Sequence, residues 1–354
     1  MGVEELAGRV FEASVNSLEL TNVYLGVKLS LYEKLDSAMT ADELAAATGC
    51  APRYIREWLQ SQALSGFVTM SGDDPADARY ALAEGVDAVL VDETSPAYLG
   101  ALSNFHAALG IALPALVRAY RTGDGVPYAE YGEDAIIGQA GVNRPAFIHS
   151  LVPEWIPAIP DVAARLADTA HPARVGDFGS GYGWSAIELA KAYPHIRVDG
   201  FDSDEASIAA ARRNAAEHGV ADRVDFEVAD LSSTDAVQPA YDIVFFFECV
   251  HDFPRPVECL QRARLSTKLD GTVIVMDEKA EETLTAPGDL TQRYFGAASA
   301  TWCVPQGLIG PDPEPVGPLM RPDQLAALAG RAGYAKSEVL PLDHDVWRFY
   351  RLVP

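Results

Sequence analysis

Glu248-Cys-Val-His-Asp252 places a carboxyl, a thiol and an imidazole within one short segment, and a second acidic pair, Asp277-Glu278, closes the next apolar run. A histidine with an unperturbed pKa of about 6.5 can accept a proton at neutral pH, so His251 is a candidate general base and Asp252 a candidate orienting acid. A His-Asp pair after a strand can equally do no more than order a loop. Asp277 and Glu278 are alternative groups to face a substrate. Two further acids, Asp177 and Asp202, bracket Gly179-Ser-Gly-Tyr-Gly183. Glycines there permit a tight turn and let backbone N–H groups approach a ligand, and an acid at the following strand end can accept from ribose hydroxyls.

These residues need elements to hold them. Ala173–Phe178 reads as a short apolar strand, the glycines as its turn, and Trp184–Ala192 as a helix. This is the first unit of a doubly wound sheet. A second strand, Ile196–Asp202, precedes a helix over Ala206–His218. Val224–Asp230 reads as the third strand. Tyr241–Glu248 is the fourth, apolar on both faces as a central parallel strand should be. Pro256 opens a helix to about Lys268, and Thr272–Asp277 is the fifth strand. After a helix over Pro322–Ala332, Lys336–Pro341 and Trp347–Leu352 read as a closing hairpin, with His344-Asp345 in its turn in a structural role.

The spacing Gly-x-Gly-x-Gly after Asp177 differs from the dinucleotide pattern, because Trp184 stands where a third spaced glycine would be. Asp177-x-Gly-x-Gly-x-Gly183 resembles motif I of the class I S-adenosylmethionine-dependent methyltransferases. His251-Asp-Phe253 is similar to the His-Asp-Trp segment of plant-type small-molecule O-methyltransferases, with Phe253 in place of the tryptophan. The string from Asp177 to Asp277 also looks like bacterial winged-helix methyltransferases. The resemblance implies an α/β fold, a seven-stranded Rossmann-like sheet with a reversed last strand, and S-adenosylmethionine as cofactor. It implies that Gly179, Ser180 and Gly181 approach the methionine part and that Asp177 receives its ammonium. It further implies Asp202 and Ser203 at the ribose, Asp230 and Leu231 at the adenine, and Glu248 and Cys249 beside the cofactor. His251 becomes the base for methylating a hydroxyl.

Length favours more than one domain at 354 residues. Residues 8–37 carry helical periodicity, interrupted only at Gly26. Thr40-Ala-Asp-Glu43 is a capping box, its helix stops at Thr48-Gly49, and Pro52 opens a second helix to about Leu64. Phe67–Met70 and Arg79–Leu82 read as strands around a polar turn over 71–77. Helix, helix, strand, turn, strand is a winged-helix pattern, which can serve DNA binding. Acids outnumber bases more than two to one over residues 1–90, and the second helix has no basic stripe. The resemblance instead implies a domain that pairs subunits into a homodimer and walls the substrate pocket. We therefore divide the chain into a winged-helix domain over 1–90, a helical connector over 91–165, and a methyltransferase domain over 166–354, with an insertion over 279–320 above the pocket. Tyr131, Asn143, Arg144 and Trp302, in aromatic-rich stretches, are weaker substrate candidates. His149 is a histidine of either role.

Formal net charge is −24, from 27 basic and 51 acidic residues. That disfavours nucleic acid and anionic membranes as partners. No apolar run reads as long enough to span a bilayer, no secretory leader is visible, and Cys50, Cys249, Cys259 and Cys303 lack paired metal spacing. Cytoplasmic thiols and no metal are the expectation. There is no Gly-x-x-x-x-Gly-Lys loop or Gly-x-Ser-x-Gly elbow. The reading is O-methylation of a small-molecule metabolite. The alternatives are C- or N-methylation, a non-methylating reaction on the same cofactor, and a ligand-responsive winged-helix regulator.

Overall fold

The computed structural model of the chain describes residues 2–72, 74–75, 77–234 and 237–354. Two compact units emerge: Met1–Ile111 with Tyr131–Pro145, and Ala112–Glu130 with Ala146–Pro354.

The first unit begins with helices α1 (Val3–Lys28) and α2 (Leu31–Lys34). The periodic stretch expected over 8–37 does not break at Gly26. It breaks at Ser30, which takes a left-handed φ of 53°. Gly26 stays helical because a Cβ there would overlap Tyr32 and Trp58, whose rings pack edge to face at 5.0 Å. Helix α3 (Ala41–Thr48) has the expected capping box, with Thr40 and Glu43 each bonded to the other's backbone N–H. Gly49 ends it at a φ of 69°. Helix α4 (Pro52–Leu64) starts on its proline. Strands β1 (Val68–Ser71) and β2 (Arg79–Leu82) pair antiparallel, one residue later at β1 than the sequence implies. The polar turn between them falls partly outside the described residues, at Asp73 and Ala76. Leu31, Leu44, Ile55, Leu59, Val68 and Tyr80 form the core that these elements share with α5 (Val86–Leu90).

Helix α6 (Ala101–Thr122) corrects one expectation. By length and composition it is apolar enough to cross a membrane. Its first half belongs to one unit and its second half to the other. Helix α7 (Glu133–Ala146) runs into a π-type turn over Phe147–Trp155, then α8 (Pro160–Ala167).

The second unit is a seven-stranded sheet. Its strands are β3 (Arg174–Phe178), β4 (Arg197–Asp202), β5 (Val224–Val228), β6 (Tyr241–Phe247), β7 (Thr267–Glu278), β8 (Lys336–Val339) and β9 (Trp347–Val353). The order is β5-β4-β3-β6-β7-β9-β8, with β9 antiparallel to its neighbours. Between them run α9 (Trp184–Ala192), α10 (Glu205–Glu217), α11 (Pro256–Ser266) and α14 (Pro322–Arg331). The insertion contributes α12 (Leu290–Ala298) and α13 (Val304–Gly307). Two expected boundaries move. Strand β7 starts at Thr267, which pairs with Tyr241, so α11 stops at Ser266. Strand β5 ends at Val228, leaving Asp230 in the turn beyond.

Both faces of the sheet are covered. In β6, Ile243, Phe245 and Phe247 pack toward α8, α9 and α10, while Val244 and Phe246 pack toward α11 and α14. Alternation of side chains between faces, with apolar residues on each, is what a buried parallel strand requires. From β3 the chain steps outward to β4 and β5, then returns to β6 on the other side. The crossovers therefore diverge above the carboxyl ends of β3 and β6, which is where open α/β sheets bind ligands.

Gly183 sits at this junction with a φ of 78°, and a Cβ there would overlap Phe226. Gly219 has a φ of 68° but open space around it. Gly183→Ala should therefore destabilise by more than the roughly 1–3 kcal/mol of backbone strain alone, and Gly219→Ala by that strain only. Urea unfolding of the two variants measures the difference, and equal losses would refute the packing account.

Candidate active site

The site is assembled at the ends of β3, β4, β6 and β7. After β3, Gly179, Gly181 and Gly183 take φ values of 81°, 50° and 78°. The turn is tied to β4, since Gly179 and Ser180 donate their N–H groups to the Phe201 carbonyl at 2.8 and 2.9 Å. Gly181 donates to Asp202 Oδ2 at 2.9 Å. From below, the Cys249 thiol donates to the Phe178 carbonyl at 3.1 Å, and a Cβ on Gly179 would lie 2.7 Å from that sulfur. A Cβ on Gly181 would meet nothing. The loop is thus closed beneath Gly179 and Gly183 and open above Gly181.

Asp177 is buried under this loop and accepts from the Ser185 hydroxyl at 2.5 Å. Burial pushes its carboxyl up to about 6, against the Ser185 bond. Burial also raises Asp202, against the N–H groups of Asp204 and Gly181 that hold its ionised form. Ser180 Oγ is buried without a hydrogen-bond partner among the described residues. Leu231 is buried, whereas Ser203 and Asp230 are exposed, with Asp230 capping the Ser232 N–H at 2.8 Å.

The second half of the site follows β6. Glu248 leaves the strand in a left-handed conformation, φ 55°, and its N–H donates to the Met276 carbonyl at 2.8 Å. A non-glycine residue there stores roughly 1–3 kcal/mol of strain. A single turn of 3₁₀ helix, Val250–Asp252, then carries His251 into the interior at 2% exposure. Its Nδ1 lies 2.7 Å from Asp277 Oδ1 and 2.9 Å from Glu278 Oε2, and its Nε2 lies 3.1 Å from Asp252 Oδ1. An ionised carboxylate only accepts, so Nδ1 is the donor to Asp277. One N–H cannot serve both acids. Glu278 Oε2, Asp277 Oδ2 and Glu248 Oε2 are buried without a hydrogen-bond partner of good geometry among the described residues, and Asp252 Oδ1 has only Nε2 of the ring.

Charge in the cluster redistributes accordingly. Burial alone would lower the His251 pKa, but Asp252, Asp277 and Glu278 outweigh it and hold the imidazole well above its ordinary value. Burial raises Glu278 well above the usual carboxyl range and Glu248 to about 7. Burial works against the ionised Asp277 too, yet the adjacent imidazolium wins and keeps it low.

The insertion reaches the same cluster. Its π-type turn Ser299–Cys303 sets the Cys303 sulfur within 4.8 Å of ligand atoms of His251 and Asp252. Trp302, one of the expected substrate residues, is 1% exposed and meets the Tyr128 ring edge to face at 6.0 Å. Tyr128 was not singled out from sequence. Burial raises its phenol well above the ordinary value, and Asp252, Cys303 and Asp202 add to the effect. Tyr294, on α12, is pushed up to about 12 by burial, with Glu248, Cys303 and Glu278 adding.

Three weaker candidates lie elsewhere. Tyr131, Asn143 and Arg144 belong to the first unit, where Tyr131 is fully buried and Arg144 donates to Glu93 at 2.7 Å. His149 is exposed on the π-type turn. His344 has the structural role expected of it. Its Nδ1 accepts from the Val346 and Trp347 N–H groups at 3.1 and 3.2 Å, and its ring stacks on Trp347.

Residues 172–314 match the family model of a methyltransferase domain, and residues 21–91 match the Rv2258c-like winged HTH domain. The 3-hydroxy-5-methyl-1-naphthoate 3-O-methyltransferase of Streptomyces sahachiroi is 27% identical over 39% of this chain and 40% of its own length. A release factor glutamine methyltransferase of Chlorobaculum tepidum is 38% identical over 25% of this chain and 31% of its own. The chain thus spans less than half the length of these curated relatives. Human N-acetylserotonin methyltransferase, solved in complex with SAM, has 15% identity and a TM-score of 0.70, covering 100% of this chain and 99% of its own. An O-methyltransferase family protein from Burkholderia thailandensis has 17% identity and a TM-score of 0.69 over 100% and 98%. At these identities the structural likeness is one of fold.

S-adenosylmethionine, the cofactor of this domain, fits the residues present. The open face of Gly181 admits a chain close to the backbone. The carboxylate of Asp202 keeps lone pairs for a ribose after binding its two N–H groups. The unpartnered Ser180 hydroxyl is a further polar contact. The chain joins a methyltransferase domain, matched over residues 172–314, to an N-terminal winged helix-turn-helix domain, matched over residues 21–91.

Proposed function

We propose that this chain methylates a hydroxyl of a small-molecule metabolite, with His251 as the general base. The observation that carries this is the buried Nδ1 to Asp277 bond of 2.7 Å at the end of β6, beside the glycine turn of β3. Bound S-adenosylmethionine supplies an electrophilic methyl group. The chain's own residues do the rest. Gly179, Ser180 and Gly181 line the loop, and Asp202 with Ser203 faces the ribose. Asp230 and Leu231 take the adenine side. Glu248 flanks the crevice, and Cys249 props the loop from beneath. Asp177, fixed by Ser185, sets the charge under the ammonium. Asp277 holds His251 so that Nε2 takes the hydroxyl proton, and Asp252 steadies the imidazolium that results. The insertion, through Trp302 and Cys303, shields this step from water.

Around this site we place a winged-helix domain over 1–90 that pairs two copies and a connector over 91–165, in a cytoplasmic protein without nucleic-acid partners. The α4 arginines support the last point: Arg53 pairs with Glu57, and Arg56 lies 3.7 Å from Asp42. The release factor glutamine methyltransferase relatives favour a second reading, methylation of a glutamine. Product mass and fragmentation with methyl-labelled cofactor separate the two.

The cofactor reading is tested by calorimetric titration with S-adenosylmethionine. Loss of charge-assisted bonds should weaken binding by roughly ten- to a hundredfold in Asp202→Ala, with Asp202→Asn intermediate. Unchanged affinity in both would remove Asp202 from the site.

His251→Asn should lower kcat by roughly a hundredfold or more while leaving cofactor affinity intact. The base must be neutral to act. Burial lowers its folded pKa, but Asp252, Asp277 and Glu278 outweigh burial and hold it above the ordinary value, with Glu248 and the neutral Cys303 thiol also facing the ring. The acid limb of kcat/KM should therefore lie above about pH 6.5. Asp277→Asn should move that limb to lower pH. A limb at or below the ordinary histidine value, unmoved by Asp277→Asn, would eliminate His251 as base.

A further inference from the structure

We infer that the methyl acceptor carries a positive charge, as a protonated amine does, near the hydroxyl that is methylated. This rests on the methyltransferase reading and names the substrate class of that same site.

Glu248, Asp252, Asp277 and Glu278 converge on one imidazole. His251 has one proton on Nδ1, and Asp277 takes it. Glu278 is 8% exposed at its side chain, and its Oε2 points at that nitrogen from 2.9 Å with no proton to receive. Asp277 Oδ2 and Glu248 Oε2 are buried and unpartnered among the described residues as well, and Asp252 Oδ1 faces Nε2 of the same ring at 3.1 Å. Burial holds Glu248 and Glu278 toward their neutral forms, so a ligand cation lets them ionise and balances the charge of Asp252, whereas a ligand anion finds no partner here. Asp252 is the accessible member, at 25% side-chain exposure, so it presents the cluster to the crevice. Tyr128 and Trp302 stand beside it in an edge-to-face pair, and aromatic faces attract ammonium groups. The cofactor's own sulfonium is no standing partner for these acids, because its charge disappears when the methyl group leaves. An acceptor cation keeps the cluster balanced through the reaction and into the product complex.

The test uses the whole protein saturated with S-adenosylhomocysteine, whose sulfur is uncharged. Three phenols of matched size are titrated by calorimetry: tyramine, N-acetyltyramine and 3-(4-hydroxyphenyl)propionate. Tyramine should bind about tenfold tighter than its neutral acetyl analogue, and the propionate weakest of the three. The tyramine advantage should shrink as salt is raised on the unmodified protein, and collapse in Asp252→Asn and in Glu248→Gln. Neutral or anionic phenols binding as tightly as tyramine, or no binding of tyramine at all, overturn the inference. So does stoichiometric Mn²⁺ binding, read by electron paramagnetic resonance, that displaces tyramine, because the cation of the cluster is then a metal. Failure of S-adenosylhomocysteine itself to bind defeats the methyltransferase reading instead.

Discussion

Three carboxyl groups, on Glu248, Asp277 and Glu278, and one imidazole are taken out of water together at the end of the sheet, and the rest of the site is arranged around that cost. Ionised groups moved into a low-dielectric interior lose solvation worth several kcal/mol apiece. Here the loss is met in two ways. His251 and Asp277 stay charged and face each other at 2.7 Å. Glu248 and Glu278 are driven toward their neutral forms by burial. The pairs differ in what they can do next. The charged pair has its shared proton fixed at a defined nitrogen, and the neutral pair can ionise when a cation arrives. A structural role alone would be met by one ion pair. Two additional acids in the same small volume, one of them in a strained left-handed backbone, are an expense that stability does not explain.

The cluster could not form on a less regular scaffold. Asp277 and Glu278 close β7, Glu248 follows β6, and those strands pair in register from Ile243 and Thr272 to Phe247 and Met276. Phe245, Phe246 and Phe247 lock β6 into both layers of the core, so the residues after it are positioned by packing on either side. The same strand sets the other half of the site, since Val175, Gly176 and Asp177 of β3 pair with Ile243, Val244 and Phe245. Cys249 then bridges the two, bonding the last carbonyl of β3 from the first loop of β6. Glycine loop and histidine segment are therefore mechanically one piece.

Much of this was legible in the sequence, for reasons that differ by residue. The glycine turn, the acids that bracket it and the strand order follow from local chemistry: glycine where φ is positive, apolar runs where both faces are buried, and a capping box at Thr40. His251 stood out because a titratable residue directly after a central strand has few places to go. Its partner did not. Sequence pointed to Asp252, the neighbour in the chain, whereas the shorter contact is to Asp277 across the sheet. Strand pairing brings these two together, and no local pattern reports it. Tyr128 escaped for a related reason. It lies three positions from Tyr131, and in the sequence alone the two are equivalent. The break at Ser30 was hidden because helical periodicity passes through it, and Gly26 drew attention that its tight packing against Tyr32 and Trp58 explains instead.

The insertion completes the argument about what the site selects. Cys303 stays a neutral thiol because burial raises its pKa, so it adds no charge to the acids it approaches. Tyr128 and Tyr294 are likewise held neutral. The groups that the insertion and Tyr128 bring to the cluster are thus aromatic or uncharged, and none of them relieves the excess of carboxyl groups. A wall built to bind an anion would have brought an arginine or lysine to this point, as planar or point cations are the usual partners of carboxylates and phosphates. Aromatic rings beside under-compensated acids are instead the combination that recognises ammonium groups. The charge of the crevice is therefore a selective property of the site, separable from the net acidity of the chain, which speaks only to solubility and long-range steering.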